Sequence, residues 1–123
     1  MSTVPLSDAT QDYLKAIYRL ERESGGVSPT LLAGALGVSL PSVTSMVKKL
    51  ASRRLVSHAP YASIALTPAG ERQALEVVRH HRLLETWLQQ SLGYSLEDLH
   101  DEADRLEHAI SPAFEEKIDR LLG

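Results

Sequence analysis

Residues 28–50 read Ser28-Pro29-Thr-Leu-Leu32-Ala33-Gly-Ala-Leu36-Gly37-Val-Ser39-Leu-Pro41-Ser42-Val43-Thr44-Ser45-Met46-Val47-Lys48-Lys49-Leu50. Ser28 before Pro29 is a helix N-cap followed by proline at the first helical position, where the missing N–H costs nothing. The helix it opens carries Leu32, Ala33 and Leu36 and stops at Gly37. Ser39 caps the next helix, whose buried face is Val43, Met46, Val47 and Leu50. Ala33, Gly37 and Val43 hold the relative positions of a helix-turn-helix. A small residue lets the helices cross closely, glycine supplies the left-handed turn, and a β-branched residue anchors the second helix. That second helix would present Ser39, Pro41, Ser42, Thr44 and Ser45 to a major groove. These are short hydroxyl and apolar groups, suited to thymine methyls, phosphates and bridging water more than to bidentate guanine contacts. Lys48, Lys49 and Arg53 can reach phosphates. The competing reading is that such patterns also arise in short helical proteins that bind no nucleic acid.

What flanks the pair favours the DNA-binding reading. Leu55-Val56 and Ile64-Ala-Leu66 are β-prone and joined through Pro60-Tyr61-Ala-Ser63, a hairpin that makes the unit a winged helix. On the N-terminal side, Ser7 caps a helix through Leu14, Ile17 and Tyr18 that ends near Ser24-Gly25-Gly26. No Asp or Glu occurs from Ser24 to Gly70, where the chain's average would place about six. From Glu97 to Asp119 nine acids face only Arg105 and Lys117. The formal net charge of −3 over 123 residues conceals this segregation. One half is prepared for a polyanion and the other for a cation.

Beyond the hairpin, Thr67-Pro68 starts a long helix through Leu75, Val78, Leu84 and Leu88 to about Leu92. Gly93-Tyr-Ser95 breaks it, an acidic helix follows from Ser95 or Leu96, and Ser111-Pro112 opens a last helix to Leu122. The acidic helix contains His100-Asp-Glu-Ala-Asp104-Arg-Leu-Glu107-His108. As one helix it sets His100, Asp104, Glu107 and His108 on an arc of about 100°. The apolar stripe of Leu99, Ala103, Leu106 and Ile110 adjoins that row. Such a row can ligate a divalent cation; the alternative is a solvated acidic face. His81 and Glu85 form a second i, i+4 pair, with His81 in the inward row of Val77, Leu84 and Leu88. An inward histidine is either a satisfied core residue or a ligand. His80 and His58 read as surface.

The absence of cysteine excludes disulfides and thiolate ligands. No basic, apolar leader precedes the first helix, so a cytoplasmic protein is expected. A small metal-dependent hydrolase with Glu107 as general base is disfavoured, because no nucleophile or oxyanion-donor set is visible.

Taken together, the chain resembles the DtxR/MntR family of iron- and manganese-dependent transcriptional repressors. The resemblance runs from about Asp8 to Leu122. It is carried by Asp12-Tyr-Leu-Lys-Ala-Ile-Tyr18, Ser42-Val-Thr-Ser-Met-Val47, Leu66-Thr-Pro-Ala-Gly70, His81-Arg-Leu-Leu-Glu85 and the His100–His108 stretch. It implies a primary metal site of Asp12, Asp104, Glu107 and His108, joining the first helix to the acidic one, and an ancillary site of His81, Glu85 and His100. Iron-type members carry Met and Cys where this chain has Asp12 and Asp104, and manganese-type members with a close two-metal cluster carry Glu where it has Lys15. All-oxygen ligands with imidazole suit hard ions, so Mn2+ is favoured with Fe2+ close behind. The expectation is a mainly α protein: a winged helix-turn-helix DNA-binding domain over residues 1–72, then a helical metal-binding and dimerisation domain over residues 73–123. It would act as a homodimeric, metal-gated repressor on operator DNA, with Trp87, Leu88, Leu106 and Ile110 in the dimer interface. A metal-independent winged-helix regulator is the alternative. Longer family members continue into a small β domain, so this is either a short member or one from which the rest was removed.

Overall fold

The computed structural model describes residues 7–58 and 63–123. Its order is α1 (Asp8–Ser24), α2 (Pro29–Leu36), α3 (Leu40–Ser52), β1 (Val56–Ser57), β2 (Ala65–Leu66), α4 (Pro68–Leu92), α5 (Leu96–Glu107) and α6 (Pro112–Leu122). The chain divides into two compact units between Val77 and Val78, inside α4.

Local chemistry sets most helix starts. Ser7, Ser28, Ser39, Ser95 and Ser111 each accept a hydrogen bond from the backbone N–H three residues on, satisfying a donor that the first helical turn otherwise leaves open. Thr67 does the same for Gly70 N at 3.0 Å.

In the N-terminal unit, Gly37 adopts φ 65°, and the chain turns so that α2 and α3 lie 108° apart, within the helix-turn-helix range. Leu32, Val43 and Leu50 are fully buried between them, with Leu14 and Ile17 from α1 and Val27 and Ile64 closing the core. The strands pair antiparallel, Val56 with Leu66 and Ser57 with Ala65, one residue later on the first strand than the Leu55-Val56 reading. The expected turn through Pro60–Ser63 lies largely outside the described residues. Two contacts tie the hairpin down: Ile64 N donates to Val27 O at 2.8 Å, and Leu66 N donates to Glu21 Oε1 at 3.3 Å.

In the C-terminal unit, Leu84, Leu88, Leu99, Ala103 and Ile118 form a second core. Leu88 is 1% exposed within the single chain. It therefore offers no surface to a partner, which corrects its expected place in a dimer interface. Trp87, Leu106 and Ile110 are partly buried against the same core, and Trp87 meets Phe114 edge to face at 5.6 Å. Among the described residues no single helix is long and apolar enough to cross a membrane.

Candidate metal centre

On the C-terminal part of α4, His81 follows the inward row, with Leu84 and Leu88 beyond it, and is 4% exposed. Its ring faces α5. His81 Nε2 lies 3.3 Å from His100 Nδ1 and 3.5 Å from Glu85 Oε2, and His100 Nδ1 is 3.1 Å from Glu85 Oε2. The three residues of the ancillary set thus stand together. On the other edge of the ring, His81 Nδ1 lies 3.4 Å from Asp104 Oδ1 and 3.7 Å from Glu107 Oε2, and it makes no hydrogen bond. His100 Nε2 is 3.8 Å from Asp104 Oδ2. Ligand atoms of His81, His100 and Asp104 all fall within 4.8 Å of one another, so Asp104 stands against two members of the ancillary set.

The helix ends at Glu107, and His108 is its C-cap residue with φ −96° and ψ −3°, still right-handed helical, with Ile110 N donating to Leu106 O across it at 3.2 Å. One expectation about α5 needs correcting. Glu107 is not beside the core face but on it, at i+4 from buried Ala103 and i+8 from buried Leu99, and is only 4% exposed. A carboxylate and an imidazole buried together carry a desolvation cost of several kcal/mol in order of magnitude unless charge and lone pairs are compensated. Oxygen and nitrogen donors, a buried lone-pair site without a hydrogen bond, and no sulfur fit a hard divalent cation. His108 is half-buried, with Nε2 4.0 Å from Glu107 Oε2.

The rest of the acidic run has other work. Tyr94 donates its hydroxyl hydrogen bond to Glu102 Oε2 at 3.1 Å, and that bond with the nearby negative charge raises the Tyr94 pKa above its ordinary value. Arg105 also pairs with Glu102, and Ser95 Oγ donates to Asp98 Oδ2. A solvated acidic face therefore exists on α5, but it is a different face. His80, read as surface, is partly buried and pairs with Glu115 of α6; only the tertiary fold brings that partner to it. His58 is exposed as expected.

In the N-terminal unit, Asp12 and Lys15 are half-buried on α1. Ser39, Pro41, Ser42, Thr44, Ser45, Lys48, Lys49 and Arg53 are all exposed at or beyond α3. Several hydroxyls are already committed: Ser39 and Ser42 Oγ lie 2.8 Å apart, and Thr44 Oγ1 donates to Leu40 O at 3.1 Å. This leaves methyl and methylene edges as much of the exposed surface of α3.

Two family models match successive parts of the chain. Residues 5–64 match the iron-dependent repressor N-terminal DNA-binding domain, and residues 67–123 match the iron-dependent repressor metal-binding and dimerisation domain. The diphtheria toxin repressor of Corynebacterium diphtheriae is 38% identical over 119 residues, which are 95% of this chain and 52% of that protein. An HTH-type transcriptional regulator of Methanocaldococcus jannaschii is 33% identical over 117 residues, 94% of this chain and 91% of that protein. A manganese-dependent transcriptional repressor solved in complex with manganese superposes with a TM-score of 0.85 at 43% identity, covering 93% of this chain and 52% of that one. The chain spans about half the length of the diphtheria toxin repressors it matches.

Proposed function

Because the chain belongs to the family of iron-dependent repressors, we propose that it is a metal-activated transcriptional repressor. It binds operator DNA as a homodimer when loaded with Mn2+, with Fe2+ close behind, and acts in the cytoplasm on genes of metal-ion homeostasis. The observation that carries this reading is His81: a buried imidazole with carboxylates at both ring nitrogens, His100 beside its Nε2, and a buried Nδ1 that makes no hydrogen bond. The preference for Mn2+ is supported by the donor set, which is carboxylate and imidazole in a chain without cysteine.

A bound divalent cation supplies positive charge and open coordination positions. His81, Glu85 and His100 would hold one ion, and Asp104, Glu107 and His108 another beside it, with Asp12 the further ligand that the resemblance implies. Without compensation, Asp104 and Glu107 converge on one imidazole at a cost in like-charge repulsion, so the last turn of α5 gains order when they are engaged. Two recognition helices must meet half-sites about 34 Å apart. Ordering the helical half of a dimer therefore raises affinity for a correctly spaced operator. Ser39, Pro41, Ser42, Thr44 and Ser45 are the base-facing residues of this proposal, and Lys48, Lys49 and Arg53 the phosphate contacts. Trp87, Leu106 and Ile110, with the exposed Leu92, Leu96, Phe114 and Leu121, are surface for a second copy to cover.

A crystal grown with Mn2+, with anomalous scattering used to find the ion, tests the proposed ligands. Peaks within coordination distance of His81 or of Glu107 are expected. Ions found only on the exposed acids Glu97 and Asp101 would restore the solvated-face reading.

A further inference from the structure

Among the described residues, polar groups approach His81 at both ring nitrogens, and Asp104 also reaches His100, with Oδ2 3.8 Å from His100 Nε2. On the Nε2 side of His81 are His100 Nδ1 at 3.3 Å and Glu85 Oε2 at 3.5 Å. On its Nδ1 side are Asp104 Oδ1 at 3.4 Å and Glu107 Oε2 at 3.7 Å. The ring is 4% exposed, so water cannot readily stand in for a missing partner. A neutral imidazole has one N–H and one lone pair, on opposite nitrogens, and the placement of either fixes the other.

We propose that His81 is the mechanical link between two metal positions of the helical domain, a ligand for one and a positioning residue for the other. This rests on the metal-binding reading above. When the Nε2 lone pair is given to a cation shared with Glu85 and His100, the single N–H must sit on Nδ1. There it points at Asp104 and Glu107, and it holds those carboxylates in place for a second cation. The opposite tautomer turns a lone pair toward two carboxylates and repels them. The Nδ1–Asp104 separation is about 0.5 Å longer than an ordinary N–H···O bond, so the link closes by a small side-chain rotation. Hydrogen bonding of a metal-bound histidine to a carboxylate through its far nitrogen is a known means of orienting ligands; here that carboxylate is itself a ligand. Occupancy of the Nε2 side therefore tightens the Nδ1 side, and by reciprocity the converse holds by the same factor.

The test is Mn2+ binding to the full chain, read from the paramagnetic resonance of the free ion, with the fluorescence of Trp87 as a second signal. Trp87 is the only tryptophan and lies two residues from Glu85. Wild type is expected to take two Mn2+ per chain, with the first strengthening the second. Glu85→Gln alters only the Nε2 side. It should release one ion and weaken the position beside Asp104 and Glu107 by about fivefold or more. His81→Asn keeps an amide N–H where Nδ1 stands and has nothing at Nε2. It should also release one ion but leave the other within about twofold of the wild-type value, whereas His81→Ala should weaken it as Glu85→Gln does. Should His81→Ala fail to fold, Glu85→Gln against His81→Asn decides alone. An unchanged remaining position in Glu85→Gln, equal weakening in His81→Asn and Glu85→Gln, or two independent ions in wild type would overturn the link while leaving metal binding intact. No Mn2+ bound to wild type would overturn the metal-binding reading itself.

Discussion

Gly70 shows how much a single position can decide. A Cβ built there would overlap the carbonyl of Leu55, because the first turn of α4 packs directly on the chain that enters the wing. Gly70→Ala should cost about 2–3 kcal/mol, since backbone cannot yield as a flexible side chain can. Urea melts of the two proteins would show it, and equal midpoints would mean that the close approach is not kept in solution. The glycine of Leu66-Thr-Pro-Ala-Gly70 was legible as part of a motif, but its reason, a carbonyl fifteen residues away in sequence, was not. Asp104 is the other decisive residue. Its spacing from His100 placed it on the polar row, yet only packing against α4 sets its carboxylate 3.4 Å from His81. Asp104→Cys should shift preference from Mn2+ toward Co2+, Ni2+ or Zn2+, because thiolate is the softer donor. Asp104→Ala should lower Mn2+ affinity by about tenfold or more, with an apo melting temperature at or above that of wild type, since a converging carboxylate has gone. Paired metal titrations and thermal melts check both. Wild-type Mn2+ affinity in the alanine variant would remove Asp104 from the site.

At the scale of elements, helix starts were readable because a serine cap acts within three residues. Ser39 is an example: its Oγ accepts from Ser42 N at 3.3 Å, and Ser39→Ala should destabilise α3 by about 1 kcal/mol. The C-terminus of α5 was less readable, since no glycine marks it and Ala109 would continue a helix. The signal was downstream: Ser111 capping Pro112 requires the chain to leave α5 shortly before it, which puts His108 at the helix end. Burial of Glu107 was hidden for a similar reason, as its i+4 relation to Ala103 competes with its place beside Asp104 on the polar row. For α3, the spacing that buries Val43, Val47 and Leu50 also exposes Lys48 and Lys49. Lys49→Ala should weaken binding equally on all duplexes and reduce the slope of log affinity against log salt by about one unit. A loss confined to one sequence would make Lys49 a base contact instead.

Across the whole molecule, the segregation of charge is what a mean net charge of −3 obscures. The acid-free segment from Ser24 to Gly70 carries the helix-turn-helix, and the acid-rich segment from Glu97 to Asp119 carries the ligand candidates His100, Asp104, Glu107 and His108. Such a distribution makes sense if one half meets phosphates and the other a cation, and if occupancy of one is felt at the other. That linkage is the central claim, and it has a direct measurement. A duplex selected in vitro with Mn2+ present is titrated with the full chain, once in excess Mn2+ and once in chelator, at one fixed salt concentration. We expect at least about tenfold tighter binding with Mn2+, a coupling of roughly 1.4 kcal/mol or more, and the same factor when DNA is added to a Mn2+ titration. Equal affinity for DNA in Mn2+ and in chelator would contradict the claim and leave a winged-helix protein whose DNA binding does not depend on metal.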